Sequence, residues 1–116
     1  DGFSAMEGSN IRVLPGAIEV SSNPDTSRGS FAAISRPLEG WQVPERTCLR
    51  LRSEHDARGL LEVRSAGSDA LKEHWQTSKG EALVSLSPLA GRRLDRMDVI
   101  FENAPVKLQE LILGPC

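Results

Sequence analysis

Hydrophobic and polar residues alternate over most of this chain with the two-residue period of strands that bury one face. The clearest run lies near the C-terminal end, where Met97, Val99 and Phe101 interleave with Asp98, Ile100 and Glu102. Val84 and Leu86 before Pro88, and Leu111 and Leu113 before Gly114, repeat the pattern on either side, so three successive strands are predicted there. Pro88–Arg93 and Asn103–Pro105 separate them, because proline donates no ladder hydrogen bond and glycine tolerates turn dihedrals. Thr47–Ser53 and Leu60–Ser65 alternate just as strictly. Leu49, Leu51, Leu61 and Val63 fall on one face and Arg50, Arg52, Glu62 and Arg64 on the other. The two runs read as paired antiparallel strands with opposite charges facing each other on a solvent-exposed side.

Nearer the N-terminus, Ile11–Leu14 and Ala17–Val20 flank Pro15–Gly16 and read as a hairpin, and Phe31–Ile34 resumes a strand-like run. Asp1–Asn10 reads as an irregular arm pinned by Phe3 and Met6, and Ser21–Ser30 as a surface loop with almost nothing to bury. Arg36–Pro44 is punctuated by prolines and carries Trp41, which predicts a connection packed over one end of the core. Ser68–Trp75 is the one segment with helical character, with Ser68 or Asp69 as its N-cap.

These elements predict one all-β domain over residues 1–116, an antiparallel β-sandwich of seven to nine strands with turn signals about every ten residues. An immunoglobulin-like sandwich expects cysteine, tryptophan and cysteine in that order on core strands. Here Trp41 precedes Cys48 and the second cysteine is Cys116, the last residue, which favours a jelly roll. Fourteen basic and sixteen acidic residues give a net charge of −2 and are interspersed, so no basic face points to nucleic acid. No segment has the length of a membrane-spanning helix, and the start at Asp1 does not resemble a signal peptide; it reads as a processed or excised end. The cysteines leave two readings open. A Cys48–Cys116 bridge would contribute about 4 kcal/mol in the chain-entropy picture and imply an oxidising compartment; otherwise one thiol is buried and the other terminal.

A resemblance follows from L-R-L-R-S, then L-E-V-R-S, a tryptophan beyond it, V-S-L-S-P, L-D-R-M-D-V-I-F-E-N and L-Q-E-L-I-L-G-P. Together, over Thr47–Pro115, these resemble galactose-binding-like jelly-roll domains, many of which are carbohydrate-binding modules of bacterial polysaccharide-active enzymes. The resemblance implies a structural calcium held by an acidic residue of the last strand together with the N-terminal segment. Its candidates here are Glu110 with Glu7 or Asp1.

Sugar binding needs a flat aromatic surface for the C–H face of a pyranose and polar partners for its hydroxyls. Trp75, among Glu73, His74 and Gln76, is the expected platform, with Gln76 beside it; Trp41 is the second ligand-contact candidate, and its plainer reading is a lid packed on the core. Arg50, Arg52 and Arg64 could grip hydroxyls or sugar carboxylates in bidentate fashion; the plainer reading is a solvated face balanced by Glu62. Candidate catalytic pairs (His55 with Asp56, His74 with Glu73, Asp95 with Asp98) come without a nucleophile elbow or a zinc spacing. The expectation is therefore a non-catalytic carbohydrate-binding accessory domain, secreted or at the cell surface. Its partners would be a polysaccharide or oligosaccharide and a neighbouring catalytic domain. The alternative is a structural or protein-interaction sandwich with no glycan ligand.

Overall fold

The computed structural model describes residues 2–22 and 31–116. Asp1 and most of the expected Ser21–Ser30 loop, from residue 23 on, lie outside them. Among the described residues there are ten strands: β1 (Ser4–Ala5), β2 (Ser9–Leu14), β3 (Ala17–Ser22), β4 (Ala32–Gln42), β5 (Thr47–Ser53), β6 (Arg58–Ser65), β7 (Ser68–Gln76), β8 (Glu81–Ser85), β9 (Arg93–Phe101) and β10 (Val106–Pro115). They form two five-stranded antiparallel sheets, β1-β4-β9-β6-β7 and β2-β3-β10-β5-β8. The protein is an antiparallel β-sandwich.

Eight of the strands pair in nested fashion: β6 with β7, β5 with β8, β4 with β9 and β3 with β10. A long hairpin folded on itself, with successive pairs sent to alternate sheets, is the jelly-roll winding. β1 and β2 extend one edge of each sheet.

The winding corrects one expectation directly. β5 and β6 are consecutive and both alternate, yet they do not pair: β5 lies between β10 and β8, and β6 between β9 and β7. Arg50 and Arg52 therefore face solvent from the second sheet and Arg64 from the first, on opposite sides of the sandwich. Glu62 balances neither of the β5 arginines.

Two further segments differ from their predicted form. Ser68–Trp75 is not helical but is most of β7, joined to β6 by the two-residue turn Ala66–Gly67, where both residues have positive φ, as a type I′ hairpin requires. A register shift between Val63 and Arg64 leaves Ala70 as an extra residue, so the apolar positions of β7 fall out of simple alternation. Arg36–Pro44 is not a connection packed over the core end but largely strand, because β4 continues to Gln42. Its pairing with β9 is interrupted between Pro37 and Trp41, where Glu39 and Gly40 take positive φ.

Between the sheets lie Val20, Ile34, Leu49, Leu51, Leu61, Val63, Leu94, Met97, Val99 and Phe101, all buried. Burying each such side chain contributes about 1.5–3 kcal/mol, which offsets the cost of ordering the chain. The sandwich is closed by local devices. Ser9 Oγ accepts the Ala33 N–H at 2.9 Å and so ties the two sheets at one edge. At the loop end, Asp56 Oδ1 accepts from Gly80 N–H (3.0 Å) and the Thr77 hydroxyl (3.3 Å), while Asn103 bridges the Asp56 carbonyl and the Arg58 N–H. Cys48 and Cys116 form a disulfide with Cα atoms 5.0 Å apart, fixing the end of β10 to β5.

Candidate ligand-binding face

The solvent side of the first sheet carries side chains in three adjacent rows set by strand register. Met6 donates its N–H to the Ala33 carbonyl, and the row continues through Ile100, Leu60 and His74. The next row is Ser4, Ser35, Asp98, Glu62 and Lys72, and the third is Pro37, Arg96, Arg64 and Asp69. A largely apolar strip thus runs beside a line of hydroxyls and carboxylates, with cations beyond. Phe31, immediately before β4, stands at the head of the strip and is 49% exposed.

Asp98 is the unusual member. It alternates out of phase with Met97, Val99 and Phe101, as an exposed residue should, yet it is 2% exposed. It sits mid-strand on β9, flanked by β4 and β6, and Arg96 on the same strand reaches its Oδ2 at 3.1 Å. Oδ1 is buried with no hydrogen-bond partner among the described residues. A buried acceptor without a donor is a standing cost of about 1–3 kcal/mol. A pocket of about 210 Å³ lies here, lined by Met6, Phe31, Ala33, Glu62, Asp98 and Ile100. Glu62 is held by Lys72 at 4.0 Å, and Lys72 also reaches Asp69 at 3.4 Å.

Several residues singled out from sequence stand elsewhere. Trp75 does not lie in a polar loop: it is on β7, faces inward, is 5% exposed and packs edge-on against Phe101 at 5.4 Å between ring centroids. Its indole cannot serve as a surface platform. Trp41 is half-buried against the core beside Arg36, Pro37, Leu38 and Leu113, in keeping with a lid. Gln76 is exposed at the outer end of β7, paired with Arg58, and Arg64 belongs to the row described above, donating to the Gly67 carbonyl at 2.9 Å.

Arg50 and Arg52 lie on the opposite face. Arg52 approaches Glu110 at 3.6 Å, while Arg50 has no ion pair among the described residues and stands between Leu83 and Ile112, which are 57% and 50% exposed.

Of the calcium candidates implied by resemblance, Asp1 lies outside the described residues. Glu7 is in the turn between β1 and β2, Glu110 already faces the Arg52 guanidinium, and among the described residues no three acidic, histidine or cysteine side chains converge to hold a metal. Of the candidate catalytic pairs, Asp56 is occupied by Gly80 and Thr77, His55 is exposed beside Glu54, His74 ends the apolar row, and Asp95 is exposed while Asp98 is buried.

Sequence reasoning did not single out Phe31, and it weighed Asp98 only as half of a catalytic pair with Asp95. The signal for Phe31 was present, because it is in phase with Ser35 and out of phase with Ile34, which places it on the outer face. Compared with protein-family models and with curated proteins, the chain matches none significantly. Among the described residues no helix is long and apolar enough to cross a membrane.

Proposed function

We propose that this protein is a non-catalytic carbohydrate-binding domain that uses the solvent face of its first sheet. The observation that carries the reading is the side-by-side arrangement of an apolar strip headed by exposed Phe31 and a row of hydroxyl, carboxylate and cationic groups. A sugar ring offers matching chemistry, with C–H groups on one face and hydroxyls around the rim that both donate and accept. Such a domain holds a neighbouring catalytic domain near its polymer and raises effective concentration without chemistry of its own. The disulfide supports a secreted or cell-surface setting. Affinity electrophoresis through gels containing neutral and acidic polysaccharides tests the reading: retardation by at least one polysaccharide is expected, and unchanged mobility in all of them would overturn it.

A second reading, protein interaction without a glycan, is favoured by the opposite face, where Arg50, without an ion pair among the described residues, stands between exposed Leu83 and Ile112. That combination suits a protein surface with an acidic group set among apolar ones. Co-purification of a partner lost on Arg50→Ala, with no polysaccharide retarding the domain, would select it.

A further inference from the structure

We infer that the pocket over Asp98 is the subsite that fixes the sugar, and that it selects a neutral, hydroxyl-bearing ring over an acidic one, an inference that rests on the carbohydrate-binding reading above. Asp98 supplies the first argument. Oδ2 is engaged by Arg96, but Oδ1 has no donor among the described residues, and Ser35, its cross-strand neighbour, does not provide one. A carboxylate oxygen buried this way is an acceptor waiting for a donor from outside, and a sugar hydroxyl is a donor that forms a charge-assisted hydrogen bond.

The lining supplies the second. Met6, Ala33, Ile100 and Phe31 give the pocket apolar walls, and Glu62 adds a second carboxylate on the same row as Asp98. Neighbouring hydroxyls of one ring donate to the two carboxylates while its C–H face lies against Phe31. Phe31 is the one exposed residue of the lining, so it is the side chain with the least packing to hold it when a ligand enters and uncovers Oδ1.

Charge supplies the third. The cations nearest the two carboxylates are already committed, Arg96 to Asp98 and Lys72 to Glu62 and Asp69. A uronate or sulfate group would meet Asp98 and Glu62 with no uncommitted cation among the described residues between them, and like charges at close range repel. A neutral ring meets no such opposition.

The test is isothermal titration of the whole domain with neutral oligosaccharides and with uronate-containing ones, for the unaltered protein, Asp98→Asn, Phe31→Ala and Arg50→Ala. Thermal unfolding of each variant checks that it is folded, and exposed Phe31 provides a probe that does not depend on Asp98 tolerating substitution. Expected is binding to a neutral oligosaccharide that is at least tenfold tighter than to any uronate oligomer. It should weaken tenfold or more in Asp98→Asn and in Phe31→Ala and stay within twofold in Arg50→Ala. Equal or tighter binding of uronates overturns the inference. So does neutral-sugar binding lost in Arg50→Ala and kept in the other two, which would leave carbohydrate binding standing on the opposite face. Absence of binding to every oligosaccharide overturns the inference and the function together.

Discussion

Gly59, opposite Phe101 in the β6–β9 pair, lies so close to the backbone of the adjacent Ile100 that a Cβ on it would overlap the Ile100 carbonyl oxygen, and it would stand 2.8 Å from Trp75 Cζ2. The missing side chain is what lets the indole of β7 and Phe101 of β9 meet edge to edge over β6. Gly59→Ala therefore forces the backbone of a central pair apart. A loss of about 3 kcal/mol is expected, read by urea unfolding. A loss below about 1 kcal/mol would mean that the sheets are looser at this point than their packing implies.

The disulfide joins residues 68 apart and ties the end of the last strand, β10, which is the middle strand of its sheet, to the adjacent β5. Closing a loop of that length restricts the unfolded chain, so reduction should lower stability by about 4 kcal/mol in the chain-entropy picture. Paired urea titrations with and without a reductant check it. The same experiment on Cys48→Ser with Cys116→Ser should show no effect of reductant.

Trp75 separates folding from binding. Its Nε1 is buried without an acceptor among the described residues, so Trp75→Phe removes an unsatisfied donor while keeping a ring against Phe101, and should change stability by less than about 1.5 kcal/mol. Trp75→Ala empties a core site and should cost about 3–5 kcal/mol. Calorimetric unfolding distinguishes the two, and the phenylalanine variant should bind ligand as the unaltered protein does.

On the opposite face, Arg52 and Glu110 form an exposed pair that contributes little. Arg52→Ala should lower stability by less than about 1 kcal/mol, and that small effect should shrink further in molar salt. A larger, salt-insensitive loss would point to packing of the arginine stem rather than charge.

Strand identity was legible wherever one face is buried and the other wet, as at Leu49, Leu51, Leu61 and Val63, because burial follows the two-residue period of the chain. Partner choice was not. Nested pairing joins strands distant in sequence, and the alternation of β5 and β6 is equally satisfied whether they pair or lie in different sheets. β7 was hidden by the extra residue Ala70, which moves its apolar positions out of phase. The candidate face was half legible. Arg64 and Gln76 do lie on it, but Trp75 was drawn outward by polar neighbours when its own phase, shared with Gly59 and Phe101, points inward. Asp98 was out of reach, since a charged residue on an outward position reads as solvated, and only its place on a central strand beneath Arg96 buries it.

The most direct measurement of the central claim is a map of backbone amide shifts in a nitrogen–proton correlation spectrum as a neutral oligosaccharide is added. The account predicts saturable shifts confined to Met6, Phe31, Ala33, Glu62, Asp98 and Ile100 and their neighbours on the first sheet. Shifts centred on Arg50, Leu83 and Ile112, or a spectrum that does not change at any sugar concentration, would contradict it.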